Sequence, residues 1–180
     1  LTPFEPSYTQ SAKALITAVG ERQAAEAIAD EVVERIEAEP GTLVILGPGS
    51  TVAAVGRRLG VDTTLLGVDA LVDRRMVGVD VNEEELHRLV LRHPRSVLVL
   101  SPIGAQGFVL GRGNQQLSPD VVRRIGPDHV MVIATPAKLR RTPRLRFDTG
   151  DRDLDQAFAA RRYLPVVTGY HQSRLVRVVL

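Results

Sequence analysis

The segment Gly47-Pro48-Gly49-Ser50-Thr51 has the residue types of an anion-binding turn. It follows a short apolar run, 42–46, and precedes an apolar helical pattern, 52–59. The first N–H groups of a helix have no partner inside it, and the helix dipole places partial positive charge there. The same residues also occur in ordinary strand-to-helix turns. The candidate phosphate ligands of this segment are Gly47, Gly49, Ser50 and Thr51.

Residues 104–116 form a second polar segment, in which four glycines surround one arginine and three consecutive amides. Amide side chains donate and accept hydrogen bonds, so they suit a base edge, a ribose or a sugar. An arginine between two glycines can hold a phosphate through two parallel hydrogen bonds. A surface loop with ordinary turn chemistry is the alternative. The candidate ligand-binding residues here are Gly104, Gln106, Gly107, Arg112, Asn114 and Gln115.

Two charged residues that follow predicted strands are candidates for catalysis. Asp69 could act as a general base, a magnesium ligand or a ribose partner, and it could equally cap a helix or a turn. Lys138 is one of only two lysines and could hold a phosphate as a point charge. None of the four histidines has metal-ligand spacing and the chain has no cysteine, so no metal site is expected.

The composition limits the classes of protein to which the chain can belong. Its 180 residues suffice for one packed domain. The lack of cysteine fits a cytoplasmic location, and neither a membrane span nor a signal peptide is visible. The 23 basic residues are nearly balanced by 21 acidic ones, and aromatic residues are few. We therefore expect neither a membrane nor a nucleic acid as a partner.

Helix and strand patterns alternate along the chain and must position these residues. Apolar periodicity and cap residues predict helices over 24–36, 50–59, 82–92 and 118–125. Apolar runs predict strands over 42–46, 64–68, 97–100, 130–134, 144–147, 164–167 and 175–180. The pattern predicts an α/β fold with a Rossmann-like, mostly parallel sheet between helix layers and short closing strands at the C-terminus. Residues 1–20 are predicted to be a linker or N-terminal arm, and 21–180 a single α/β domain.

Ligands of such sheets bind beyond the carboxyl ends of the strands. Polar and glycine residues collect at those ends, while the strands themselves are apolar. We therefore expect one ligand cleft that is built from the segments 47–51, 101–116, 135–138 and 148–151, together with Asp69 and Asp73.

Several of these motifs resemble the bacterial and archaeal ATP-NAD kinase-like proteins. The resemblance extends from about residue 20 to the end of the chain. The segments that carry it are 45–51, 66–69 (Leu-Gly-Val-Asp), 79–83, 101–108, 111–119 (Gly-Arg-Gly-Asn-Gln-Gln-Leu-Ser-Pro) and 148–151.

The resemblance implies the C-terminal, nucleotide-binding half of a longer protein that converts NAD to NADP. NAD, ATP or polyphosphate, and magnesium are the implied ligands, and a separate N-terminal kinase domain is the implied partner. The N-terminal half carries a Gly-Gly-Asp-Gly motif in the family, whereas this chain contains no Gly-Gly dipeptide. The resemblance implies phosphate binding by residues 49–51, and ribose or base contacts by Asn114 and Gln115.

A weaker likeness is to ribose-5-phosphate isomerase-like domains, in the order of the glycine-Ser-Thr turn, Asp69, Arg112 and Lys138. It implies a self-contained domain that binds or isomerises a sugar phosphate, with Asp69 as the base and Lys138 as its electrostatic partner. A third hypothesis is an oligomerisation module without a working site. The expected partner is thus a phosphorylated small molecule or a dinucleotide, and a homo-oligomer is possible.

Overall fold

The computed structural model describes residues 7–111 and 114–180, and within these ranges it contains six α-helices and nine strands. Strands and helices mostly alternate along the chain, except that β2–β3, β4–β5 and β8–β9 follow each other without an α-helix between them. The helices are α1 (Ser7–Glu37), α2 (Ser50–Leu59), α3 (Glu83–Arg92), α4 (Pro119–Ile125), α5 (Pro136–Arg141) and α6 (Arg152–Ala159). The strands are β1 (Leu43–Leu46), β2 (Asp69–Val72), β3 (Arg75–Gly78), β4 (Ser96–Leu100), β5 (Phe108–Leu110), β6 (Val130–Ile133), β7 (Arg144–Phe147), β8 (Tyr163–Gly169) and β9 (Gln172–Val179).

Several helices begin at the cap residues that the sequence predicted. The side chain of Asn82 accepts from the Glu85 N–H, and the Glu85 carboxylate accepts from the Asn82 N–H, both at 2.9 Å. This reciprocal capping box satisfies two helix N-terminal donors of α3. Ser118 caps α4 in the same way, by accepting from the Val121 N–H at 3.4 Å. Helix α1 is longer than predicted, because it begins at Ser7 and includes much of segment 1–20.

The strand predicted over 64–68 is wrong. The chain there forms a loop in which Leu65 and Leu66 are 57% and 84% exposed, and the strand β2 begins only at Asp69. The pairing of β2 with β1 sets this start, since Asp69 lies opposite Leu46 at the end of β1. Asp69 therefore begins a strand instead of following one.

The nine strands form one sheet in the order β3-β2-β1-β4-β6-β8-β9-β7-β5. Five of the eight pairings are parallel, so the predicted mostly parallel sheet is confirmed. Strands β1, β4, β6 and β8 run in one direction. The β8–β9 hairpin reverses the direction, and β9, β7 and β5 are parallel to one another.

Helices cover both faces of the sheet, as the predicted helix layers require. Helices α1 and α2 pack on one face, against a cluster that includes Val44, Val99 and Ile133. Helices α3, α4 and α6 pack on the other face, against alternate residues of the same strands, such as Ile45 and Leu98. The α/β class with a Rossmann-like arrangement is thereby confirmed. Among the described helices, none combines the length and apolarity needed to cross a membrane.

The sheet curls, so that its β5 edge returns toward β4. In a flat sheet, the five strand spacings between β4 and β5 would measure about 24 Å. However, Ile103 forms a bridge with Phe108, and the Ile103 N–H donates to the Phe108 carbonyl at 2.7 Å. The chain from the end of β4 to Ile103 is three residues long and spans at most about 10 Å. The amide-rich segment after β5 is thereby brought back toward α3 and α4.

Candidate functional site

The carboxyl ends of β1, β4 and β6 lie side by side at one edge of the sheet. The Gly47 N–H donates to the Val99 carbonyl at 3.0 Å, which continues the β1–β4 ladder by one residue. A Cβ on Gly47 would lie 2.5 Å from Leu100 Cδ2, so a larger residue here would require the Leu100 side chain to move. The structure therefore brings the turn after β1 beside Ser101 after β4 and the Thr135–Lys138 segment after β6.

The turn before α2 leaves its first helical amides without a side-chain cap. Gly49 precedes the helix with φ 115°, a backbone conformation that favours glycine, and it offers no capping side chain. Its own N–H donates to the Leu65 carbonyl at 2.9 Å. The first turn of α2 contains no acidic residue, Ser50 is exposed and Thr51 is buried. This end of α2 therefore presents backbone donors and partial positive charge to the space above the sheet edge.

Asp69 lies at the same edge, and its carboxylate already has several hydrogen-bond donors. The side chain is 1% exposed. Its oxygens accept from the Thr64 N–H at 2.7 Å, from the Thr64 hydroxyl at 2.9 and 3.0 Å, and from the Asp80 N–H at 2.9 Å. These bonds tie the loop before β2 and the segment before α3 to the sheet. Asp69 thus has a clear structural function in this arrangement.

Lys138 is half-buried at the start of α5, near the same edge. Its Nζ lies 3.3 Å from Ser101 Oγ, and no carboxylate in the described ranges lies within ion-pair distance of it. Burial lowers the pKa of Lys138, and repulsion from Arg141 lowers it further, while Glu21 partly opposes the shift. A lysine held in this way, without an ion pair among the described residues, can bind an anion.

The two residues predicted to be catalytic do not lie next to each other. Asp69 is on β2 and Lys138 follows β6, and these strands are three spacings apart, about 14 Å in the direction of the strand hydrogen bonds. Glu21 was missed by sequence reasoning. From α1 it accepts a hydrogen bond from the Thr135 hydroxyl at 2.9 Å. No local pattern connects two residues that are 114 positions apart in the chain.

The glycines of the second candidate segment have different environments. A Cβ at Gly104 would meet nothing within 4 Å, and Gln106 beside it is exposed. A Cβ at Gly107 would overlap the Arg144 carbonyl oxygen, so close backbone packing between β5 and β7 explains this glycine. Arg112, the predicted phosphate ligand, lies outside the described residues.

Asn114 and Gln115 lie in a cleft of about 310 Å³. Its walls come from the segment after β5, from the start of α4 and from the turn between β7 and α6. The lining residues are Gly111, Asn114, Gln115, Leu117, Ser118, Pro119, Asp148, Thr149 and Gly150. Residues 114, 115 and 117–119 of the predicted motif therefore share one cleft with the Asp-Thr-Gly turn of residues 148–150.

The expected single cleft is thus divided between two groups of residues. The parallel direction of β1, β4 and β6 gathers segments 47–51, 101 and 135–138. The turn 148–151 follows β7, which belongs to the strands of reversed direction, and it joins Asn114 instead. Asp151 caps α6 by accepting from the Leu154 N–H at 3.0 Å, so its function is structural.

These features define an α/β domain with polar groups at the carboxyl edge of a parallel sheet. The chain belongs to the family of ATP-NAD kinase C-terminal domains, whose family model matches residues 40–178. That range begins just before β1 and ends within β9, so it contains both groups of candidate residues. No curated protein and no solved structure matches the chain. The resemblance predicted from the motifs is therefore confirmed at the level of the family.

Proposed function

We propose that this domain binds the phosphate groups of a nucleotide at the carboxyl edge of β1, β4 and β6, as part of an NAD kinase-like protein that makes NADP from NAD. Family membership supports NAD and ATP as the ligand class, and polyphosphate is the other candidate donor. An N-terminal kinase domain would be the partner, and the protein would act in the cytoplasm.

The observation that supports this proposal is that uncapped helix donors and a lysine without an ion pair in the described ranges lie at the same edge of the sheet, two strand spacings apart. The α2 N-terminus has no acidic residue in its first turn, and Lys138 has no carboxylate within ion-pair distance in the described ranges. Their strands are separated only by β4, and Ser101 at the end of β4 contacts Lys138. Both features favour a bound anion, because the helix N-terminus and the lysine each contribute positive potential, which Glu21 offsets only in part at Lys138.

Magnesium would be expected to arrive with the phosphates of the donor. Mg²⁺ is usually held by one or two carboxylates together with substrate phosphates. Asp69 fits this role poorly, because three donor groups already occupy its oxygens. In the described part of the chain, the group best spaced to hold a cation is Glu31, Glu34 and His171, on α1 and the β8–β9 turn. The residues of the sheet edge therefore supply anion binding and orientation, and the kinase domain would supply the metal ligands.

The proposal is tested by measuring the Tm of the 180-residue chain in the presence of each candidate ligand. The ligands are NAD, NADP, ATP together with magnesium, polyphosphate, and ribose 5-phosphate. A ligand at a hundredfold excess over Kd stabilises the folded state by about 2.7 kcal/mol. In a chain of this length, that corresponds to a rise in Tm of about 5–10 °C. We expect this rise with the dinucleotides.

Two matched variants identify where the ligand binds. Lys138→Met should reduce the rise, whereas Arg140→Met, which removes one positive charge from the same short helix, should leave it unchanged. A rise with ribose 5-phosphate alone would instead favour the sugar-phosphate alternative. If no phosphorylated ligand changes Tm, the proposed phosphate site is wrong for this domain.

A further inference from the structure

Strands β7 and β9 and the first half of β8 have one face that no described helix covers. Helices α1 and α2 pack on this side of the sheet, but against β1, β2, β4, β6 and the end of β8. Leu145 of β7 and Val176 and Val178 of β9 are buried on the opposite side, so the residues that alternate with them lie on the α1 side. We call this surface the outer face. Its exposed or half-buried residues include Arg144, Arg146, Tyr163, Pro165, Leu175 and Arg177.

The register of the strands places three of these side chains in one row. Tyr163 lies opposite Arg177 on β9, and Arg177 lies opposite Arg144 on β7. Neighbouring strands are about 4.8 Å apart, so this row spans about 10 Å. Tyr163 is 53% exposed, and both arginines are exposed. Arg146 follows Arg144 by two residues and therefore lies on the same face, so three arginines and one aromatic ring share an open surface.

The positive charge of the outer face is not balanced by neighbouring groups. No outward residue of the three strands is acidic, and neither Arg144 nor Arg177 forms an ion pair within the described ranges. Arg146 donates to the Leu180 carbonyl at 2.8 Å, which leaves its charge unneutralised. Like charges directly opposite each other on neighbouring strands destabilise a sheet. A bound polyanion would remove this repulsion, so the charge of the outer face is complementary to a chain of negative groups.

The side chains of the outer face favour a single-stranded nucleic acid over an acidic protein. The planar guanidinium group of arginine matches the geometry of phosphate, and a nucleic acid offers a phosphate at every nucleotide. An exposed tyrosine beside the arginines offers a ring on which an unpaired base can stack. A folded protein partner would instead bury two neighbouring arginines, and the desolvation of such charges can exceed what their pairing returns.

The charge of the whole chain does not reveal this surface. The 23 basic and 21 acidic residues nearly balance, and the expectation of no nucleic-acid partner rests on that balance. Arg144, Tyr163 and Arg177 are far apart in the sequence, and only strand pairing makes them neighbours. The balance therefore holds for the chain and not for the outer face.

We infer that the outer face of β7, β9 and β8 binds single-stranded nucleic acid, with Arg144, Arg146 and Arg177 contacting phosphates and Tyr163 stacking on a base. This activity goes beyond the proposed function. It uses neither Lys138 nor the N-terminus of α2, so the two proposals can fail independently.

Fluorescence anisotropy of a labelled oligouridylate, titrated with the 180-residue chain at several salt concentrations, tests the inference. The oligonucleotide should bind at low salt, and the logarithm of the association constant should fall linearly with the logarithm of the salt concentration. A double-stranded RNA of the same length should compete at least about tenfold more weakly, because its bases are not free to stack.

Four variants at exposed positions assign the contacts. Arg144→Gln and Arg177→Gln should each reduce the slope of the salt dependence by about 0.7, the value for one phosphate contact on a single strand. Tyr163→Leu should weaken binding about tenfold and leave this slope unchanged, because stacking releases no counterions. Arg92→Gln is the matched control, since it removes an exposed arginine from α3 on the opposite side of the sheet, and it should change neither quantity. None of the four should lower Tm.

Several results would overturn the inference. It is wrong if oligouridylate does not bind at low salt, or if Arg92→Gln reduces the slope as much as Arg177→Gln does. It is also wrong if oligoglutamate displaces the RNA as well as unlabelled oligouridylate does, because the outer face would then be a site for acidic protein segments. Equal displacement by polyphosphate, together with unchanged binding by Tyr163→Leu, would show a surface that binds phosphate alone.

Discussion

Gly104 and Gly107 lie in one loop and allow a direct test of why this segment contains glycine. Both have positive φ, 66° and 76°. A Cβ at 104 would meet nothing within 4 Å, whereas a Cβ at 107 would overlap the Arg144 carbonyl oxygen. That carbonyl is held in place, because β7 pairs with β5 on one side and β9 on the other. The Arg146 N–H also donates to the Gly107 carbonyl at 2.9 Å.

The two alanine variants should therefore differ in their free energy of unfolding. A left-handed backbone costs alanine about 1 kcal/mol, and this is the whole cost at 104. At 107 the overlap with a fixed backbone adds about 2 kcal/mol, as other overpacked positions do. Each kcal/mol lowers Tm by about 2–4 °C in a chain of this length. We expect a decrease of about 2–4 °C for Gly104→Ala and about 6–12 °C for Gly107→Ala.

Calorimetry of the two variants without ligand gives the answer. If Gly107 serves only to let a ligand approach the backbone, its alanine variant would be as stable as Gly104→Ala and would lose only ligand binding. Equal Tm values would therefore refute the packing argument. A larger loss at 107 would show that this glycine holds β5 against β7 and so positions the segment that leads to Asn114.

Three further outcomes follow from buried or charged groups. Asp69→Asn should lower the free energy of unfolding, measured by urea titration, by about 3 kcal/mol. The reason is that the carboxylate accepts from three donor groups and an amide has fewer acceptor sites. The control Asp62→Asn, at an exposed position, should have little effect. Burial lowers the pKa of Lys138 in the folded chain, so the unfolded chain binds this proton more tightly. The free energy of unfolding should therefore rise with pH between the lowered pKa and the ordinary lysine value. Lys138→Met should remove this rise. The hydrogen bond from the Leu154 N–H holds the pKa of Asp151 below its ordinary value. The stabilisation that the ionised Asp151 gives the folded state should therefore be lost as pH falls through that lowered pKa. Asp151→Asn should make the free energy of unfolding less dependent on pH in this acidic range.

Local patterns predicted the elements whose start is set by neighbouring residues. The capping box of Asn82 and Glu85 and the cap at Ser118 are both present, because each involves groups only three positions apart. The start of β2 could not be predicted in this way. Hydrophobicity favoured the run 64–68, but pairing of Asp69 with Leu46 across the sheet decides where the strand lies.

The sequence predicted one part of the candidate site better than the other for a topological reason. The carboxyl ends of parallel strands lie at the same edge of a sheet, and this rule is sufficient to predict that the segments after β1, β4 and β6 are neighbours. It fails for β7, because the β8–β9 hairpin reverses the strand direction. Nothing in the segments 108–110 or 144–147 indicates which strand each will pair with, so the placement of Asn114 and the Asp148 turn in one cleft could be seen only in the structure.

One segment of the chain connects the Asn114 cleft to the edge of the sheet where β1 ends. In segment 80–83, the Asp80 N–H donates to Asp69 beside the end of β1, and Glu83 accepts from Ser118 in the cleft. Because hydrogen bonds fix this segment at both ends, the spacing between the cleft and the Asp69 end of β2 is set by the fold.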